Sequence, residues 1–142
     1  MDTPLHDLVN RTFAAVEAKD LDAMVGVFAD DALVIDPHYP TPRMQGKPAI
    51  TEGFRWGIAS MRSFGFTIEN YFESSDGQRA AVETASHHIL KQGMKLNFPQ
   101  VFIFEATNGL ITRMQAYEPY GPNGIGGMFL SLVRLKRRFS KT

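Results

Sequence analysis

The apolar residues of this chain change their spacing just after Met61, and that change limits the folds open to it. Before it they recur mainly at helical intervals; from Phe64 to about residue 118 they alternate. Thr3-Pro4 is a helix start, with threonine as cap and proline at the first helical position. Leu5, Leu8, Val9, Phe13 and Val16 then predict one amphipathic helix over 4–18. Asp20 can cap a second helix over 21–29, buried through Met24, Val25 and Phe28. Ile50, Phe54, Ile58 and Met61 give a third helix, opened by Pro48, its buried stripe. Beyond it, Phe64, Phe66, Ile68 and Phe72 alternate with polar or small residues and predict a half-buried strand over 64–73. Further strands are expected over 79–91, 94–106 and 110–118, turned back at Gln92-Gly93 and Asn108-Gly109. Helices first and an antiparallel meander afterwards make an α+β domain.

Bulk properties narrow the classes of function. A chain of 142 residues is long enough for one domain with a closed core and room for a cavity. Its formal net charge of zero supplies no global basic field, so no nucleic-acid partner is expected. The absence of cysteine removes disulfides, thiolate metal sites and cysteine nucleophiles. Met1-Asp2-Thr3-Pro4 lacks the basic and apolar regions of a signal peptide, and no apolar run reaches the roughly 20 residues of a membrane span. A cytoplasmic location is the expectation. Eleven phenylalanines and seven methionines suit a greasy cavity as well as a core.

Chemistry concentrates in residues 28–46. A helix is expected to end at Phe28 and an acidic turn to follow at Asp30 and Asp31; a short strand, Ala32 to Ile35, then runs into Asp36. Pro37, Pro40 and Pro42 make a loop that carries His38, Tyr39 and Arg43. A carboxyl on the last residue of a buried strand can act as a general base if burial raises its pKa; an Asp-Pro pair also simply starts a turn. His87 and His88 are adjacent on a predicted strand, so alternation sends one to each face. Val82, Thr84 and Leu90 would place His88 inside. The histidines at 6, 38, 87 and 88 have no tight spacing, and no metal or cofactor is expected, although Asp36, His38 and His87 could meet in space. The segment 128–139, amphipathic through Phe129, Leu132, Val133 and Leu135, ends in a basic run after a loop over 119–127 whose glycines and prolines argue against a regular element.

The pattern Lys19-Asp20-Leu21-Asp22, Val27-Phe28-Ala29-Asp30-Asp31-Ala32, Val34-Ile35-Asp36-Pro37 and Gly46-Lys47-Pro48-Ala49-Ile50 resembles the SnoaL-like and ketosteroid-isomerase-like members of the NTF2-like superfamily. The resemblance implies a cone over 1–121, a strongly curved sheet wrapped around N-terminal helices with an apolar pocket between them. The segment 122–142 would follow as a loop and a helix packed on that domain or on a partner. It implies proton-transfer chemistry of the isomerase, cyclase or dehydratase kind on a small apolar carbonyl compound, without a cofactor, in a homodimer. Non-catalytic ligand binding and a dimerising interaction domain are the alternatives. Asp36 falls at the family's general-base position; Thr12 and Gln100 take the places of its two oxyanion donors. The resemblance turns His87 inward as a partner acid and leaves His88 outside. Phe13, Phe28, His38, Tyr39, Phe54, Trp56, Phe102, Met114 and Glu118 are the remaining candidates for contact with a substrate. Arg43 could pair with Asp36 around a water, as in epoxide-hydrolase relatives, with Glu118 or Glu83 as second carboxylate.

Overall fold

A computed structural model of the chain describes residues 2–118 and 125–140, with side chains left undescribed over 125–130. In chain order the elements are α1 (Pro4–Ala18), α2 (Leu21–Gly26), β1 (Phe28–Ile35), β2 (Arg43–Gln45), α3 (Lys47–Ser60), β3 (Met61–Ser63), β4 (Phe66–Glu73), β5 (Arg79–Leu90), β6 (Lys95–Thr107), β7 (Leu110–Tyr117) and α4 (Ile125–Phe139). The Thr3 hydroxyl accepts the His6 N–H and caps α1, and the Asp20 carboxylate caps α2 through the Ala23 N–H. Asn108 and Gly109 both take positive φ, which closes the β6–β7 hairpin tightly.

Six strands run in the order β2-β1-β7-β6-β5-β3, and β4 pairs with β5. All pairs are antiparallel except β1 with β7. The sheet is therefore mixed, and it curves around α1 and α3 as an NTF2-like α+β cone. Val9, Phe28, Ile50, Phe104 and Ile111 are fully buried in the core between helices and sheet.

The β1–β7 pairing explains a departure from the expected elements. Phe28 to Asp31 belong to a strand, not to a helix end and an acidic turn. Helix α2 stops at Gly26, a poor helix former. Phe28 then pairs with Ile111, and the Ile111 N–H bonds the Val27 carbonyl at 2.8 Å. A distant strand overrides the local turn signal; Asp31 stays exposed, and the exposed Asp30 carboxylate lies 3.7 Å from the Lys47 ammonium. The short strands β2 and β3 were likewise not legible from periodicity. Gly126 and Gly127 lie within α4, against the expected loop, while residues 119–124, including Tyr120, lie outside the described residues. Leu132, Val133 and Leu135 of α4 are exposed. No helix among the described residues is long and apolar enough to cross a membrane.

Candidate active site

Strands β1 and β7 are parallel neighbours, so both deliver their next residues to the same end of the sheet. Asp36 follows β1 and Glu118 follows β7. The loop after β1 closes as a turn: the Asp36 carbonyl accepts the Tyr39 N–H at 3.2 Å, and the Asp36 N–H reaches the Pro42 carbonyl at 2.9 Å. Asp36 Oδ1 accepts the His38 N–H at 3.0 Å, an Asx-type bond that orients the carboxyl. The turn swings the His38 ring back, and its Nδ1–H donates to Glu118 Oε1 at 2.7 Å. Glu118 Oε1 also accepts from Gln100 Nε2 at 3.0 Å, and Gln100 Oε1 accepts the Ser86 hydroxyl at 2.7 Å. A chain of polar contacts thus runs Ser86, Gln100, Glu118, His38, Asp36. The second Glu118 oxygen is buried with no partner among the described residues when both carboxyls are ionised. One donor atom each from Asp36, His38 and Glu118 lies within 4.8 Å of the others, a set that could take a divalent cation.

This end of the sheet opens into a cavity of about 220 Å³. Its wall is mostly apolar, with Phe13, Phe54, Phe102 and Met114 on the helix and sheet sides. Trp56, 44% exposed, and Tyr39 pack at 5.8 Å along the rim. Burial in this setting drives the Asp36 carboxyl up to about 7, against the pull of the His38 N–H; the Glu118 carboxylate adds to the rise by its charge and by a hydrogen bond. The hydrogen bond to Glu118 raises the His38 pKa, against the effect of burial. Burial, and then the charge of Asp36, raise the Tyr39 phenol. Near neutrality Asp36 can therefore hold or release a proton facing an apolar space, which is what general acid–base chemistry needs.

Several expected residues sit elsewhere or are occupied. His87 is exposed, with Nδ1 at 3.3 Å from Asn97 Oδ1, and it is His88 that lines the cavity. The inner face of β5 carries Val82, Thr84, Ser86 and His88, the alternative that the strand's own pattern left open. Phe28 is core: it is fully buried against Phe54 at 5.7 Å and away from the cavity wall. Thr12 and Gln100 line the cavity, but the Thr12 hydroxyl donates to the Leu8 carbonyl at 2.8 Å and both ends of the Gln100 amide are engaged. Arg43 is exposed on β2, and Glu83 is exposed on β5. The side chain between the two carboxyls is His38, and the second carboxyl is Glu118.

This assignment of Phe28 and Trp56 has a direct check. Phe28→Ala is expected to cost about 3–5 kcal/mol in chemical denaturation, as for any core phenylalanine. Trp56→Ala is expected to change stability by less than about 1 kcal/mol, as at a half-exposed site, yet to weaken binding of apolar fluorophores.

A curved mixed sheet closed by helices over an apolar cavity, with ionisable groups gathered at one end, defines an NTF2-like domain. The chain belongs to the SnoaL-like family: the model of the SnoaL-like domain matches residues 9–114. Among solved structures it is similar to RV0760c of Mycobacterium tuberculosis, determined in complex with estradiol-17beta-hemisuccinate, at 25% identity and a TM-score of 0.74 over 83% of this chain and 95% of that one. It is also similar to the Delta 5-3-ketosteroid isomerase of a Mycobacterium species, at 22% identity and a TM-score of 0.74 with coverage of 83% and 95%. The epoxide hydrolase/cyclase-like enzyme SalBIII matches at 22% identity and a TM-score of 0.71, covering 81% of this chain and 90% of that one. The last two likenesses speak for the fold alone.

Proposed function

We propose that this protein is a cofactor-independent enzyme that moves a proton on a small, mostly apolar carbonyl compound, with Asp36 as the base. The observation that carries this reading is the Asp36 carboxyl at the polar end of an apolar cavity, with its pKa raised to about 7. A carboxylate there is poorly solvated and is a stronger base than one in water. The His38 backbone N–H orients it, and the His38 ring bonds Glu118 beside it. Enolate-type isomerisation, aldol-type cyclisation and dehydration through a carbanion begin with such a step.

The test is solvent deuterium incorporation α to the carbonyl of an apolar bicyclic ketone, decalone, followed by mass spectrometry. Exchange above the buffer rate is expected, rising with pH through about 7 as Asp36 loses its proton. Decalone that binds but exchanges only at the buffer rate would instead favour a non-catalytic ligand-binding domain. The engagement of both Thr12 and Gln100 within the protein is the observation on that side.

A further inference from the structure

We propose that His88 is the hydrogen-bond donor to the ligand's oxygen, acting as a neutral imidazole through its Nε2–H. The proposal rests on the cavity being the ligand site, and it adds to that reading a buried donor on β5. Of the two residues at the family's oxyanion positions, Thr12 gives its proton to the Leu8 carbonyl, and Gln100 spends its oxygen on the Ser86 hydroxyl and one of its two amide hydrogens on Glu118.

Backbone geometry sets the tautomer of His88. The Gly65 N–H donates to His88 Nδ1 at 3.3 Å, so Nδ1 presents a lone pair and the ring proton of the neutral form sits on Nε2. Gly65 can come this close because it has no side chain: a Cβ there would lie 2.8 Å from the His87 carbonyl oxygen. The same pair of segments is locked by the His87 N–H to the Gly65 carbonyl at 2.8 Å. Phe64, Phe66 and Phe98 meet the imidazole edge-on at 5.3, 5.0 and 5.7 Å and fix its plane. Nε2 has no partner among the described residues, and the ring lines the cavity.

Position and protonation state both suit the role. Phe98 also carries the His38 ring at 5.1 Å, so His88 stands one aromatic ring away from the Asp36 end of the cavity. His38, His87 and Glu118 are the charged or titratable groups that act on it. Burial first, then the two other imidazoles, hold His88 down to about 4, so it stays neutral wherever the protein is expected to work. A neutral donor in a dry site strengthens its bond as negative charge grows on the acceptor, without giving up a proton to water. The ligand class follows: a ring compound, apolar over most of its surface, with a carbonyl, enolate or phenolate oxygen at one end.

Long-range proton–nitrogen NMR correlation on the free protein is the first measurement. It should show the Nε2–H tautomer for His88 at neutral pH; an Nδ1–H tautomer overturns the proposal. The second compares binding of naphthol with naphthalene. Wild type should prefer naphthol, and His88→Leu should lose about tenfold of that preference, the worth of one hydrogen bond, with naphthalene affinity kept. His88→Gln, which places an amide N–H near Nε2, should restore part of it. A preference unchanged in His88→Leu, or lost instead in Tyr39→Phe, overturns the proposal. These readouts do not depend on turnover, so a failure of decalone exchange would sink the enzymatic reading and leave this one standing.

Discussion

Asp36→Asn is expected to lower turnover by roughly 10²–10⁴-fold, the usual worth of a general base, and at the same time to make the protein more stable at pH 8. The second half follows from linkage. Asp36 titrates at about 7 in the folded protein and near 3.9 in an unfolded chain. Between those values the folded state keeps a proton that the unfolded state has lost. The Asp36 contribution to stability therefore falls as pH rises from about 4 to about 7. The gap of roughly 3 pH units amounts to up to about 4 kcal/mol at 1.36 kcal/mol each. Asparagine has nothing to ionise. Relative to wild type, Asp36→Asn should gain up to about 4 kcal/mol between pH 4 and pH 8 in urea denaturation. A difference between the two proteins that does not change with pH would mean that Asp36 is an ordinary exposed carboxylate. His38 works in the same direction, because its folded pKa is raised. Its contribution is present below about 6.5 and is lost as pH rises through the folded value. Asp36 and His38 act on each other's charge, so their titration belongs to the pair.

His88 is expected to produce the opposite slope. Its folded pKa is about 4 against about 6.5 when unfolded. Between these values the unfolded chain binds the proton that the buried imidazole refuses, so stability rises with pH and is lost on acidification through about 4. The effect is up to about 3 kcal/mol. In wild type the two slopes nearly cancel between about 4 and 6.5. His88→Gln should uncover the falling limb of Asp36, and Asp36→Asn the rising limb of His88. A His88→Gln profile parallel to wild type would show that His88 ionises freely and is not held neutral in the cavity. That measurement bears equally on its role as a donor.

Much of the scaffold is written in local signals. The Thr3-Pro4 start, the stripe from Leu5 to Val16 and the hairpin at Asn108-Gly109 need no distant partner to be recognised, because capping, amphipathic periodicity and positive φ act over a few residues. Asp36 is likewise visible at a strand end followed by proline, and the pattern around it points to the NTF2-like superfamily. Two things were hidden. The extension of β1 back to Phe28 depends on pairing with Ile111, a distant strand. The orientation of β5 depends on which way the sheet curves; both alternations, through His87 or through His88, satisfy a two-residue period equally well.

The chain therefore carries in its own spacing the order of its main helices and long strands, and around Asp36 the pattern that resembles the family. It does not carry the company that carboxyl keeps. Asp36 meets Glu118 because β1 and β7 run parallel and end together, and His88 enters the cavity because the sheet is concave on that face. Those are long-range packing outcomes. They set the burial of Asp36, its carboxyl neighbour and which histidine of β5 faces the cavity.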